Sequence, residues 1–222
     1  MEAATIAGMS EFADAIKAGD AAKVGELIDA DPALLRTPEN DVTPLLLAIY
    51  HGKPELARLL VERGAPVSFA EACALGDEAR AKELLAADPA LLHSRTADGF
   101  PAVGVAIYFG HGPLARWLIE QGADVNAPAE NAARVAPLHA AAAVRDRETT
   151  RLLLERGADP NAKQQMDYTP LHGAASRGDV ELAELLLAHG ARRDAKSTDG
   201  LTPADMARKY NQPAFAEWME RL

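Results

Sequence analysis

The stretches Thr169-Pro170-Leu171-His172 and Leu186-Leu187-Ala188-His189-Gly190-Ala191 mark the start and the end of one unit of this sequence. Thr-Pro begins a helix well, because the Thr side chain accepts hydrogen bonds from free backbone N–H groups and proline suits the first turn. Glycine ends a helix, because it adopts the left-handed backbone conformation at little cost. The stretches therefore predict a unit of two short helices, since Gly178 divides the segment between them.

Both motifs recur along the chain. The Gly-Ala ending returns at Gly64, Gly122 and Gly157, and Pro-Leu returns at Pro44 and Pro137. A small residue four places after the proline gives a register with spacings of 33, 24, 34, 35, 33 and 33 residues. The register positions are Ala15, Ala48, Ala72, Ala106, Ala141, Ala174 and Ala207. One such unit is too small to bury its apolar side, so we expect stacked units with a continuous core.

The pattern resembles the ankyrin repeat over approximately Ser10 to Leu222. Thr-Pro-Leu-His at Thr169 and Gly-Ala-Asp-x-Asn at Gly122 and Gly157 match the signatures of that family. The resemblance implies an all-α solenoid of about seven helix-pair units with short projecting hairpins, in which the first and last units are caps. We expect a flexible N-terminal extension at residues 1–9 and one ankyrin-repeat domain at 10–222. Its units fall at approximately 10–40, 41–66, 67–97, 98–130, 131–164, 165–197 and 198–222.

Four features depart from a uniform repeat. Glu26 to Leu35 matches Glu83 to Leu92, 57 residues later, which indicates that residues 10–66 and 67–124 are a duplicated pair of units. The 24-residue step leaves no room for a full hairpin, so we predict a notch in the hairpin row at Ala65 to Ser68. About two extra residues in Ala127 to Ala136 predict a longer, mobile loop. Arg145 stands where other units have glycine, so we expect a strained or differently closed helix end.

The sequence contains no motif typical of catalysis, metal binding or a cofactor. Its His residues and its single Cys lack the spacing of metal ligands, and it has no glycine-rich phosphate loop or serine elbow. Cys73 lies in an apolar helical context and is expected to be a buried, inert thiol. The ankyrin resemblance implies that His139 and His172 support the loops by hydrogen bonding. We therefore expect no enzyme, no metal and no cofactor.

Composition and charge exclude further classes. The net charge of −10 disfavours a protein that binds phosphate backbones, so we expect no nucleic-acid partner. No apolar run approaches 18 residues, so we expect no membrane span. One free thiol fits a reducing compartment, which predicts a cytoplasmic location. Residues 1–133 hold 20 acidic and 10 basic side chains, whereas 134–222 hold 13 of each. We attribute this asymmetry to solubility, with the steering of a basic partner as the alternative.

The resemblance places the residues before each helix-ending glycine, together with the hairpin tips, on a concave binding face. The candidate concave-face residues are Tyr50, His51, Leu75, Tyr108, Phe109, Ser176, Arg177, Lys209 and Tyr210. The candidate hairpin-tip residues are Asn40, Asp41, Asp98, Gln165, Asp167, Tyr168 and Asp199. Aromatic residues make up only 5% of the chain, so their clustering at Tyr50, Tyr108 and Phe109 indicates a binding patch. The alternative is that these rings pack against neighbouring helices.

These observations predict a non-catalytic, monomeric protein-interaction module whose partner is a protein of unknown identity. A small-molecule or enzymatic groove near Tyr108, Phe109 and His111 is one alternative. A structural or self-assembling role is another, although capped ends argue against open filaments.

Overall fold

The computed structural model describes residues 11–40 and 42–222, so the expected extension at residues 1–9 lies outside the described residues. The described chain forms fourteen α-helices in seven successive pairs and contains no β-strand. The pairs are 11–18 (α1) with Ala21–Ala30 (α2), Pro44–Tyr50 (α3) with Pro54–Glu62 (α4), Phe69–Leu75 (α5) with Glu78–Ala87 (α6), Ala102–Tyr108 (α7) with Gly112–Glu120 (α8), Pro137–Val144 (α9) with Arg147–Glu155 (α10), Pro170–Arg177 (α11) with Val180–Ala188 (α12), and Pro203–Lys209 (α13) with Pro213–Arg221 (α14). The all-α prediction is confirmed.

The turn inside each pair has a simple local cause. A left-handed residue ends the first helix, and in four of the pairs an Asp side chain begins the second by accepting a hydrogen bond from the backbone three residues later. In the sixth pair Gly178 has φ +66° and Asp179 accepts from the Leu182 N–H at 3.1 Å. The Gly-Asp dipeptide therefore reverses the chain in very few residues, because each member satisfies the backbone of one helix end.

The first helices pack closely because their register alanines are buried. All seven of these alanines are 0–7% exposed. The main helix-to-helix contacts join partners within a pair or helices of adjacent pairs, such as α5 with α7 and α11 with α13. The molecule is therefore a linear stack of units and not a globule around one shared centre.

Three hydrophobic clusters make up the core. One joins the first two pairs, and a larger one runs from Phe69 in the third pair to Met219 in the seventh. A small third cluster connects α3, α5 and α7 through Leu46, Ala74 and Val105, with Tyr50 and Phe109 packed against it. We call this third cluster, with its two aromatic rings, the aromatic bridge. It spans the place where the stack is interrupted.

The interruption coincides with the short third unit. Isolated bridges between Glu39 and Val42 and between Arg95 and Pro101 form hairpins before α3 and α7. Within residues 63–68, all of which the structure describes, no such bridge occurs. There the buried Glu71 carboxylate accepts from the Ser68 N–H at 2.7 Å and from the Thr43 hydroxyl at 2.5 Å. A side chain thus replaces the missing hairpin as the connection between the second and third units.

Hydrogen bonds connect the loops of the later units in series. The Glu130 N–H donates to Gly99 O at 2.9 Å, and the Gln165 N–H donates to Ala133 O at 2.9 Å. The Asn126 amide donates to Gly157 O at 3.0 Å and accepts from the Asp159 N–H at 2.8 Å. The longer loop at 127–136 is therefore hydrogen-bonded to both of its neighbours.

The outer sides of the terminal helices are polar. In α1, Phe12 and Ile16 are buried, whereas Glu11 and Asp14 are exposed. In α14, Phe215 and Met219 face inward, and Trp218 is half-buried. Leu222, which the helical spacing also assigns to the inner side, is 56% exposed, because α14 ends at Arg221.

Candidate functional site

The aromatic bridge holds two of the three predicted patch residues by packing. The rings of Tyr50 and Phe109 are stacked, with centroids 5.9 Å apart and an interplanar angle of 13°. The Tyr50 hydroxyl donates to the Asp98 carboxylate at 2.8 Å, and Thr96 donates to the same carboxylate at 2.6 Å. Burial and the Asp98 carboxylate raise the pKa of Tyr50 well above its ordinary value. Asp98, which lies in the hairpin before α7, therefore fixes the position of Tyr50 in the aromatic bridge. Tyr50 and Phe109 are both half-buried.

Tyr108 is the exposed member of the patch. Its ring meets Phe109 edge to face with centroids 5.2 Å apart, and 60% of the residue remains exposed. His51 is also exposed, whereas Leu75 is half-buried against the core of the first two units. The patch is thus divided: one aromatic ring is presented to solvent and two rings hold adjacent units together.

A groove of about 360 Å³ lies on the same face over the fourth to seventh units. We call it the C-terminal groove. Residues of α9 and α11 line it, together with Tyr108, Tyr168, Met206 and Tyr210. It is roomy because Ala140, Ala143 and Gly173 stand where larger side chains would fill the space. Of the predicted concave-face residues, Tyr108, Ser176, Arg177 and Tyr210 line this groove, and Tyr168 joins them from a predicted hairpin tip.

Two buried histidines line the C-terminal groove, and their surroundings differ. His172 Nε2 donates to Leu201 O at 3.0 Å, and its Nδ1 lies 2.9 Å from the Thr169 hydroxyl. His139 Nε2 donates to Tyr168 O at 3.2 Å, but its buried Nδ1 has no partner, because Ala136 stands where the sixth unit has Thr169. Burial lowers the pKa of His139 to about 4 and also lowers that of His172.

Arg177 lies where the groove meets a second cleft. Its guanidinium donates to Ala143 O and Ala142 O, both at 3.2 Å, at the carboxyl end of α9. Burial, and then the charge of nearby Arg145, lower its pKa. Arg145 and Arg177 line the second cleft together. Arg145 has φ +60° in the position that glycine occupies in the first to fourth and sixth units, so the expected irregular helix end is a left-handed arginine.

The other predicted residues are dispersed. Lys209 is exposed on α13, and Asn40, Gln165 and Asp199 are exposed in loops. Asp167 forms ion pairs with Lys163 and Arg134. Asp41 lies outside the described residues.

His111 and Phe109 do not line the C-terminal groove. His111 Nε2 donates to Ala74 O at 3.0 Å, and its ring covers Gly76, where an added Cβ would lie 2.4 Å from Nδ1. His111 therefore connects the third and fourth units.

The sequence analysis did not assign most of the groove-lining residues to a binding site. Gln164, Gly173 and Met206 lie between or behind the motif positions, and His139 was assigned only a supporting role. The replacement of Thr by Ala136 in the Thr-Pro-Leu-His motif was the available signal for the unpartnered nitrogen of His139.

The described residues were compared with the arrangements expected of a metal site, a reactive thiol and a membrane span. Within residues 11–40 and 42–222, no three His, Cys, Asp or Glu side chains are grouped as metal ligands would be. Cys73 is fully buried, and burial raises the pKa of its thiol to about 12. Among the helices of this part of the chain, none has the length and hydrophobicity that a membrane span requires.

A family model described as ankyrin repeats matches the chain in three overlapping copies, at residues 12–129, 69–164 and 138–219. The chain belongs to the ankyrin-repeat family. A comparison with curated proteins found no significant match. The first helices of the successive pairs form one side of this ankyrin-repeat chain, which we call the first-helix face. It carries two different surfaces, the aromatic bridge over units two to four and the C-terminal groove over units four to seven. Ankyrin repeats are in general protein–protein interaction modules.

Proposed function

We propose that the protein is a non-catalytic interaction module that binds a protein partner through its hairpin tips and through its concave face, which is the first-helix face. The supporting observation is a set of accessible side chains at the ends of the first helices of the fourth, sixth and seventh units. Tyr108 and Tyr210 are 60% and 53% exposed, Lys209 is exposed, and Ser176 and Arg177 are half-buried between them. Tyr and Arg are the side chains that protein interfaces favour, because they offer large contact area and several hydrogen bonds.

The proposal also includes a monomeric, cytoplasmic protein. The polar outer sides of α1 and α14 disfavour end-to-end association, since such contacts need complementary apolar surfaces. The buried Cys73 is compatible with a reducing compartment.

Affinity capture with the full chain as bait, followed by quantitative mass spectrometry, tests this proposal. The variant Tyr108→Ala with Tyr210→Ala removes two exposed rings from the first-helix face. The control, Val61→Ala with Leu222→Ala, removes two exposed apolar side chains elsewhere. We expect reproducible partners that are lost at least tenfold from the first variant and retained by the control. Partners that both variants retain equally would contradict the assigned face.

A further inference from the structure

Three arginines and two carboxylates line a cleft at the edge of the C-terminal groove, namely Arg145, Arg147, Arg177, Asp179 and Glu181. Arg147 pairs with Asp179 at 3.0 Å and with Glu181. Within the described residues, Arg145 and Arg177 have no carboxylate at ion-pair distance, and the buried Nε of Arg177 has no hydrogen-bond partner. Two like charges are thus held close together where a bound anion would relieve their repulsion.

The backbone of Arg145 supports the same conclusion. Its φ of +60° is disfavoured for a residue with a side chain, and the equivalent position is Gly in five units and Asn211 in the seventh. Arginine here gives up stability that glycine would provide. A strained residue whose side chain also adds like charge suggests selection for binding and not for folding.

The groove has the dimensions of an extended peptide. It runs from Tyr108 in the fourth unit to Tyr210 in the seventh, which is three unit steps. Helices pack about 8–10 Å apart, so these steps span roughly 25–30 Å. An extended chain of about eight residues has this length. A volume of about 360 Å³ accepts a few side chains and not a folded domain.

The groove walls and the charge distribution define the ligand further. Tyr168 and Tyr210 offer aromatic surface to a ligand in the groove. Residues 1–133 hold 20 acidic against 10 basic side chains, whereas residues 134–222 are balanced with 13 of each. The first units therefore repel an acidic segment more strongly than the last ones do.

We propose that the C-terminal groove binds an extended segment of a partner protein that carries one carboxylate between Arg145 and Arg177 and an apolar or aromatic side chain against Tyr168 and Tyr210. Arginine binds carboxylates with two parallel hydrogen bonds, which gives both affinity and orientation. This inference rests on the proposed function, because it specifies the chemistry of the partner that the first-helix face binds.

Selection from displayed random nine-residue peptides against the full chain tests the inference. We expect the selected peptides to share one Asp or Glu, with an apolar residue within three positions of it. The best peptide is then synthesised beside its Asn or Gln counterpart, and both dissociation constants are measured. We expect the amide counterpart to bind about tenfold more weakly, because it loses a charge-assisted hydrogen bond.

The variant Arg145→Gly separates binding from stability. It should weaken the binding of the acidic peptide about tenfold and leave the binding of its amide counterpart nearly unchanged. The melting temperature should rise, because glycine adopts the left-handed backbone conformation without strain. Arg58→Gln, an exposed charge on α4, is the control and should change neither affinity. A fall in melting temperature for Arg145→Gly would overturn the strain argument and with it the inference.

The other outcomes distinguish this inference from the proposed function. Peptides without an acidic preference whose affinity falls with Tyr210→Ala would overturn the inference and leave the first-helix face as a binding surface. Peptides that bind independently of every variant on that face would contradict both. Tighter binding of a nine-residue oligothymidine, lost in Arg145→Gly, would overturn the inference in favour of a nucleic-acid ligand.

Discussion

The aromatic bridge and the C-terminal groove contain similar side chains, but those of the bridge are packed and hydrogen-bonded, whereas those of the groove are partly open and lack partners. In the aromatic bridge the polar groups have partners and the stacked rings fill the space between units: Tyr50 donates to Asp98 and stacks on Phe109. In the C-terminal groove the space is open, His139 Nδ1 has no partner, and Arg177 has no carboxylate. An aromatic residue on this face is therefore not by itself evidence of a binding site, because the ring can be packed between units. The open end combines accessible rings with two arginines, Arg145 and Arg177, that have no ion-pair partner within the described residues, and a ligand can contact both kinds of side chain.

The largest expected effect concerns the buried histidine of the open end. Because burial lowers the pKa of His139 to about 4, the folded protein resists protonation that the unfolded chain accepts near pH 6.5. The His139 contribution to stability is complete above pH 6.5 and is lost as the pH falls from 6.5 to 4, by up to roughly 3 kcal/mol. Urea unfolding at pH 7 and pH 4.5 measures this loss. The loss should be smaller in His139→Gln, and an identical pH dependence in that variant would exclude His139 as its cause.

The next effect tests whether the aromatic bridge is structural. Phe109→Ala should lower the free energy of unfolding by about 2 kcal/mol, because it removes a half-buried ring that stacks on Tyr50. The neighbouring Tyr108→Ala should cost less than about 0.5 kcal/mol, because Tyr108 is 60% exposed. Chemical denaturation of the two variants gives the comparison. Equal losses would remove the distinction between packed and presented rings.

Replacing Thr169 of the sixth unit by alanine, the residue at the same position of the fifth unit, should have a smaller effect on the free energy of unfolding. Thr169, the residue before α11, is 3% exposed, its N–H donates to His172 Nδ1 at 3.2 Å and its hydroxyl lies 2.9 Å from the same nitrogen. Thr169→Ala should therefore destabilise the protein by about 1–2 kcal/mol. Denaturant unfolding provides the value. A neutral result would mean that the missing threonine is not what distinguishes the fifth unit.

The reverse change, a threonine at the position of Ala136 in the fifth unit, should have the smallest effect on the free energy of unfolding. Ala136→Thr places a hydroxyl next to His139 Nδ1, at a position whose φ and ψ of −84° and 160° resemble the −94° and 166° of Thr169. The expected gain is about 1 kcal/mol, since both a helix cap and a partner for the buried nitrogen are supplied. A double-mutant cycle with His139→Gln isolates the interaction with the histidine. If the gain persists in full without His139, helix capping alone accounts for it.

The sequence predicts the helical stack because its signals are local and repeated. Thr-Pro, Gly-Asp and the register alanines act within one unit or between neighbours, and the notch at Ala65 to Ser68 follows from counting residues. The groove depends on which small residues face each other across α9 and α11, and no single motif encodes that combination. Arg177 belongs to a predicted row, but its turn toward the α9 carbonyls depends on the neighbouring unit. Whether the candidate residues bind a partner stays a prediction.

The notch divides the stack into two cooperative blocks of unequal size, two units before it and five after it. In a linear array of repeats, each interface between neighbouring units has its own stabilising free energy. The interface with the smallest free energy therefore separates first. Here that boundary is fastened mainly by the aromatic bridge and by the Glu71 carboxylate. Under heat or mechanical tension the small block would detach as a single piece, leaving the C-terminal groove intact on the remaining five units.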